Sequence, residues 1–250
     1  METFFGRIPA VIIALFSAVA AFVLRSSQLA EAYDETGRMM TGLGAGPLTL
    51  LCILMVAVFA LYSFFLRPRK KYQAIESGST AIFAMTTLSA AAMILGCVLL
   101  VLNLEQMSDL LVATGGAVAG ICWFVPGFDR VRGRKTPAAL FMVPALFFAV
   151  ELICDFRYWS RDPMILEYCF DLLAMICDMC ATYHLGGFCF DRGSRRRTAF
   201  FSLCGIFFCA AALADGSFSS RVRTAAAALW LLSNLLPLLR RVKKNKTEEA

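Results

Sequence analysis

PAALFMVPALFFAVELICDFRYWSRDPMILEYCFDLLAMICDMCATYHLGGFCF, Pro137 to Phe190, is the stretch whose reading decides the fold. It reads as two apolar helices, about 137–156 and 164–190, joined by a turn from Arg157 to Pro163. A membrane helix needs roughly 20 mainly apolar residues, because the hydrocarbon core is about 30 Å thick. Both halves meet that length. Yet the pair carries five carboxylates: Glu151 and Asp155 late in the first helix, and Glu167, Asp171 and Asp178 in the second. An ionised carboxylate at the centre of a lipid-facing helix costs at least about 2.5–3.5 kcal/mol, so such residues turn inward, toward partners or water.

The same apolar pattern recurs outward from this hairpin. The 250 residues are 59% hydrophobic and 17% charged, against roughly 25% charged in a soluble domain. Further apolar segments fall at about 9–24, 47–66, 80–102, 110–128, 198–214 and 222–239. The reading is an all-α, polytopic membrane protein of eight spanning helices in one domain, 1–250, with a charged tail at 240–250. A rival reading removes the first helix as a signal peptide, since Ala18-Val19-Ala20 has a small-x-small pattern, and leaves seven. The apolar run continues through Phe22 and Leu24, which favours a retained helix.

Charge sets the expected orientation. Eighteen of the 24 Lys and Arg residues fall before helix 1, in the turns after helices 2, 4 and 6, and in the tail; six fall in the alternate turns, counting Arg221 and Arg223 at the rim of helix 8. Bases accumulate on the cytoplasmic side of membrane proteins, so both termini are expected in the cytoplasm. The sequon Asn245-Lys-Thr247 would then carry no glycan. The expected location is a cell membrane, taken as a bacterial cytoplasmic one, with the bilayer as first partner. A membrane subunit is a second candidate partner.

Other classes are disfavoured. The bases form short clusters rather than one groove, with no interleaved aromatic platform, so nucleic acid is not an expected partner. The ten cysteines lie in or at the rim of apolar segments, where a free thiol behaves as a small hydrophobe. No cofactor or ATP-binding motif is read. No paired-histidine motif and no glycine-flanked serine supports intramembrane hydrolysis, and the glycines expected beside catalytic aspartates are absent at Asp171 and Asp178. Gly116-x-x-x-Gly120 reads as a helix-packing face, because small residues one turn apart let backbones approach.

Two local patterns concern the basic turns. Phe128-Asp-Arg130 echoes Phe190-Asp-Arg192 at a spacing of one helical hairpin, and Arg134, Lys135 and Thr136 echo Arg196, Arg197 and Thr198. The plainer reading is convergent stop signals; the other is a duplicated helix pair. Gly187, Asp191, Arg192, Arg195 and Arg196 resemble the cytoplasmic loop motif of major facilitator transporters, with Ser194 where the second glycine belongs. Eight helices are too few for that fold, and membership is not drawn from the resemblance.

The acidic hairpin carries the functional expectation. At about 100° per residue, Glu167, Asp171 and Asp178 share one helical face, and Glu151 and Asp155 share another. By the charge-derived topology Asp178 lies near mid-membrane and the other four in the outer half. Crowded carboxylates share protons and attract cations, which suits a small transporter or permease binding a cation or cationic solute. The alternative is a non-catalytic subunit, sensor or scaffold, with the acids hydrogen-bonded to Thr86, Thr87, Ser89, Ser233 or Asn234, or sitting at the interface beside Arg157 and Arg161. Cys177, Cys180 and His184 share a face at i, i+3 and i+7 and form a weak candidate metal half-site; packing is the plainer reading. His184 is also a candidate proton relay, although Asp178 lies six residues away on a different face. Tyr158, Trp159 and Tyr168 read as an interfacial aromatic belt, or less readily as a lid.

Overall fold

The computed structural model describes residues 7–31, 45–75, 79–104, 106–160 and 168–239. These hold eight α-helices and no strand: α1 (Arg7–Glu31), α2 (Ala45–Phe65), α3 (Thr80–Leu102), α4 (Met107–Val131), α5 (Ala139–Trp159), α6 (Cys169–Cys189), α7 (Arg195–Ala212) and α8 (Phe218–Leu238). Six of them, α1 to α6, are long and apolar enough to cross a membrane. The other two fall short for a chemical reason: α7 opens on Arg195, Arg196 and Arg197, and α8 carries Arg221 and Arg223.

Several helices run beyond their apolar stretches. α1 continues from Leu24 to Glu31, through residues read from sequence as a polar loop, because Arg25 finds an acid: its Nη2 lies 3.1 Å from Asp215 Oδ2. α4 likewise begins at Met107, where Gln106 and Asp109 form a reciprocal capping box, and ends at Val131. Glu167, Arg161, the tail and its sequon lie outside the described residues.

Burial is inverted relative to a soluble protein. Phe16, Phe64, Leu102 and Met107 are exposed, while Arg25, Arg130, Glu151, Asp178, Arg195 and Arg223 are buried. A water-soluble chain does the reverse. Ionisable groups inside and large apolar groups outside are what a lipid solvent selects, and the protein is read as a multi-pass membrane protein.

Six helices close a ring. α3 packs on α4, α4 on α5, α5 on α6, α6 on α7, α7 on α8, and α8 returns to α3. α1 and α2 stand outside it, against α7. α7 is therefore covered on both sides, and 13 of its 18 residues are buried, among them Ser202, Cys204, Gly205 and Cys209. Small residues allow that. A Cβ on Gly205 would collide with the Leu231 side chain and sit 3.4 Å from Cys177 Cβ.

Gly116 and Gly120 lie on a packing face, as their spacing suggests. A Cβ on Gly120 would come within 2.8 Å of Ile94 Cγ1 and 3.1 Å of the Ala90 carbonyl, both on α3. Since a backbone oxygen cannot swing away, Gly120→Ala is expected to cost about 1–3 kcal/mol through overpacking. Gly46→Ala in α2 meets nothing within 4 Å and serves as the neutral control. Denaturation midpoints in mixed micelles compare the two; equal midpoints would refute a close α3–α4 seam.

The turns after α2, α4 and α6 meet at one end of the bundle, around Asp191. Its Oδ1 accepts from the Tyr72 amide at 2.9 Å and its Oδ2 pairs with Lys135 Nζ at 2.9 Å. Tyr72 in turn shares a 2.9 Å hydrogen bond with Thr136 Oγ1, and Gly193 N donates to the Lys70 carbonyl at 3.1 Å. Asp191 sits at φ 55°, a region that aspartate and asparagine tolerate better than most side chains. The Lys135 hydrogen bond, helped by the Tyr72 amide, holds the Asp191 carboxyl below the usual carboxylate range. A depressed folded pKa stabilises above the unfolded value and is lost as pH falls through the folded one. The latch therefore weakens only below about pH 4. Asp191→Asn, which keeps the backbone preference, is expected to lower the melting midpoint less than Asp191→Ala. The reverse order would mean that φ 55° carries no strain.

The echo between basic turns does not extend to their structure. Arg130 is buried and donates to Asn234 Oδ1 at 2.6 Å, whereas its counterpart Arg192 is exposed. The shared residues serve different contacts, as convergent stop signals would.

A carboxylate-lined cavity between α5, α6 and α8

The inward faces of α5 and α6 meet α8 at the ring end opposite the basic turns. Residues four apart on α5, Glu151 and Asp155, and seven apart on α6, Asp171 and Asp178, line one cavity. α8 closes the third wall with Ser220, Arg223 and Thr224, and Trp159 stands beside the acids. Trp159 stacks on Tyr168 at 4.6 Å between ring centroids, so part of the aromatic belt borders the cavity. The Tyr158 side chain lies outside the described atoms.

The cavity measures about 40 Å³. On that scale a water needs roughly 10–15 Å³, so the space holds a few waters or a small ion and no bulky solute. Among its described lining residues the charges do not balance: four carboxylates face one guanidinium, Arg223, with Arg25 acting on Asp171 from nearby. Arg223 Nη2 pairs with Glu151 Oε1 at 3.2 Å, and both side chains are nine-tenths buried. Arg223 Nε and Nη1 are buried without a partner. Asp178 is 2% exposed; its Oδ2 accepts a weak 3.4 Å bond from Cys209 Sγ, and its Oδ1 is buried without a partner. Gly205 on α7 leaves that oxygen its space, since a Cβ there would stand 3.1 Å from it.

None of the hydroxyl and amide groups expected to hold the acids bonds to them among the described residues, and all but Thr87 are engaged elsewhere. Thr86 donates to the Ile82 carbonyl, Ser89 to that of Thr86 and Ser233 to that of Trp230, all within their own helices. Asn234 serves Arg130. Thr87 Oγ1 is buried without a partner. Short polar side chains on a helix bond back to the preceding turn, which removes them from the pool of interhelical donors.

Below the acids the ring is filled by aromatic side chains. Trp123 of α4 and Trp230 of α8 are fully buried and stacked at 5.0 Å, 9° from parallel. Phe148 lies 6.1 Å from Trp123 and Phe141 lies 6.2 Å from Trp230. At 1.5 Å per residue this aromatic plug sits about 10 Å below Arg223 along α8, and the Arg130–Asn234 pair about 6 Å beyond it. The interior thus alternates acid cavity, aromatic plug and basic polar pair.

The cysteine–histidine set is elsewhere. Cys177 is buried toward α7, Cys180 is partly buried, and His184 stacks on Phe201 at 5.6 Å, lining hollows that Asp178 does not. Among the described residues no three His, Cys, Asp or Glu side chains are close enough to hold a metal ion. All ten cysteines are free. Arg223 is the cavity residue that counting bases as loop markers conceals; a base one position inside an apolar run was the available signal, since it needs an acid. The tryptophan plug had no signal, because its rings come from helices more than 100 residues apart. Comparison with protein-family models, curated proteins and solved structures finds no match.

Proposed function

We propose that the protein is a small membrane transport-type protein that binds a small cation, protons included, in the carboxylate cavity. One observation supports this above the rest: among the described residues Asp178 is buried with an unpartnered oxygen in a cavity lined by four acids and one base. A buried carboxylate left unsatisfied costs several kcal/mol unless a proton or cation joins it. The cavity size favours protons and small ions over a larger cationic solute. In the orientation implied by the basic turns, with both termini cytoplasmic, the cavity opens to the outer side and the aromatic plug separates it from the cytoplasm.

The closed Glu151–Arg223 pair favours the second reading, a non-catalytic subunit, sensor or scaffold. Vesicles containing the purified protein and a pH-reporting dye, driven by a potassium diffusion potential, distinguish the two. Wild type is expected to carry protons, alone or in exchange for added sodium, and Asp178→Asn to lose at least roughly tenfold in rate while keeping its elution profile and melting midpoint. If wild type and variant are equally silent, or equally active, the transport reading loses its basis and the structural one stands.

A further inference from the structure

At the basic end of the bundle, two hollows flank His184. One, about 520 Å³, lies between α2 and α7 and includes Ser63, Phe64, Phe200 and Arg197; the other, about 640 Å³, lies across α6 and includes Tyr183, Phe190, Arg192 and Arg197. His184 and Arg197 belong to both. No acid lines either hollow. We infer that this paired groove binds one anionic phospholipid, its phosphate held by Arg192 and Arg197 and its acyl chains lying along the aromatic walls.

Four observations converge on that ligand. First, among the described residues no hydrogen bond or ion pair occupies the side chain of Arg192 or Arg197, whereas neighbouring Arg196 is taken, donating to the Leu66 carbonyl at 2.8 Å and lying over the Phe64 ring. Second, Arg195, Arg196 and Arg197 open α7, and the side chain of the capping residue Ser194 accepts no amide. The positive helix end thus adds to three like charges, an arrangement that an anion relieves. Third, Ser63 is 4% exposed and its hydroxyl has no partner, although it lines the α2–α7 hollow. Fourth, the walls are aromatic and lipid-exposed: Phe64 and Phe190 are each 66% exposed. A free phosphate ion gains nothing from such walls, whereas a phospholipid brings both the charge and the chains. Basic pockets beside membrane helices recognise headgroups in this way.

The experiment is thermal protection of the purified full-length protein in a neutral detergent. Added dioleoyl-phosphatidylglycerol is compared with dioleoyl-phosphatidylcholine and, separately, with inorganic phosphate. Each membrane-proximal arginine adds about fivefold to anionic-lipid affinity, so the two together are worth about 30-fold. Wild type is expected to bind phosphatidylglycerol about 30-fold more tightly than phosphatidylcholine. The variant Arg192→Gln/Arg197→Gln is expected to lose that preference with an unchanged midpoint in detergent alone. Arg192→Lys/Arg197→Lys, which keeps the charge, retains most of it. The inference is overturned if phosphatidylcholine protects equally, if inorganic phosphate reproduces the protection, if the glutamine variant keeps the preference, or if the lysine variant loses as much as the glutamine one.

Discussion

Replacing Arg223 by leucine is expected to cost about 3–5 kcal/mol of stability. Removing one member of a buried ion pair strands the other, and among the described residues Arg223 is the ion-pair partner of Glu151, whose side chain is 8% exposed. Glu151→Leu is expected to cost a similar amount, because it strands a guanidinium that already has two unpartnered nitrogens. The double variant Glu151→Leu/Arg223→Leu is expected to recover most of the loss, since two apolar residues in place of a buried pair are often neutral or stabilising. Denaturant unfolding in mixed micelles reads all three. Single variants within about 1 kcal/mol of wild type would mean that the pair is already hydrated and holds nothing together. The position is also tightly built. A Cβ on Gly96 of α3 would stand 2.6 Å from Arg223 Cγ and 3.1 Å from its amide nitrogen, so Gly96→Ala must push the guanidinium off Glu151.

Trp230→Ala is the second large effect. Trp230 is fully buried against Trp123 and Phe141, and Trp-to-Ala changes in such places cost about 3–5 kcal/mol. It also has a consequence that a loss of packing elsewhere lacks. The plug lies between the acid cavity and the Arg130–Asn234 pair along α8, so its removal opens space between two polar regions. Vesicles bearing Trp230→Ala are expected to leak protons, while those bearing Trp230→Phe, which keeps a ring, stay tight. Trp230→Ala vesicles as tight as wild type, from folded protein, would show that the seal lies elsewhere.

The sequence carried the number of helices, because apolar length is a one-dimensional signal, but of the eight read as spanning only α1 to α6 are long and apolar enough to cross a membrane. Each of the eight segments has its helix, with ends displaced by a few residues wherever a polar group found a partner, as Arg25 did with Asp215. The grouping of acids was legible too. Glu151 with Asp155, and Asp171 with Asp178, share faces by helical periodicity alone, and those faces meet. Which bases and rings met them was not legible. Glu151 and Arg223 are 72 positions apart; the place of Arg223 just inside an apolar run signals that it needs an acid but not which one. The covering of α7 was equally hidden. Lipid and protein are both apolar neighbours, so its run of Phe, Cys and Ala reads the same against either.

α8 follows the other seven helices in the chain, yet it brings Arg223 to Glu151, Trp230 to Trp123 and Asn234 to Arg130. During synthesis, α5 is thus made with a glutamate whose arginine partner is not yet translated. Among the described helices α8 is the last in the chain, and its packing on α3 closes the ring. Until α8 docks, Glu151 lacks the arginine it pairs with, so the ring completes its internal charge pairing only when its final helix arrives.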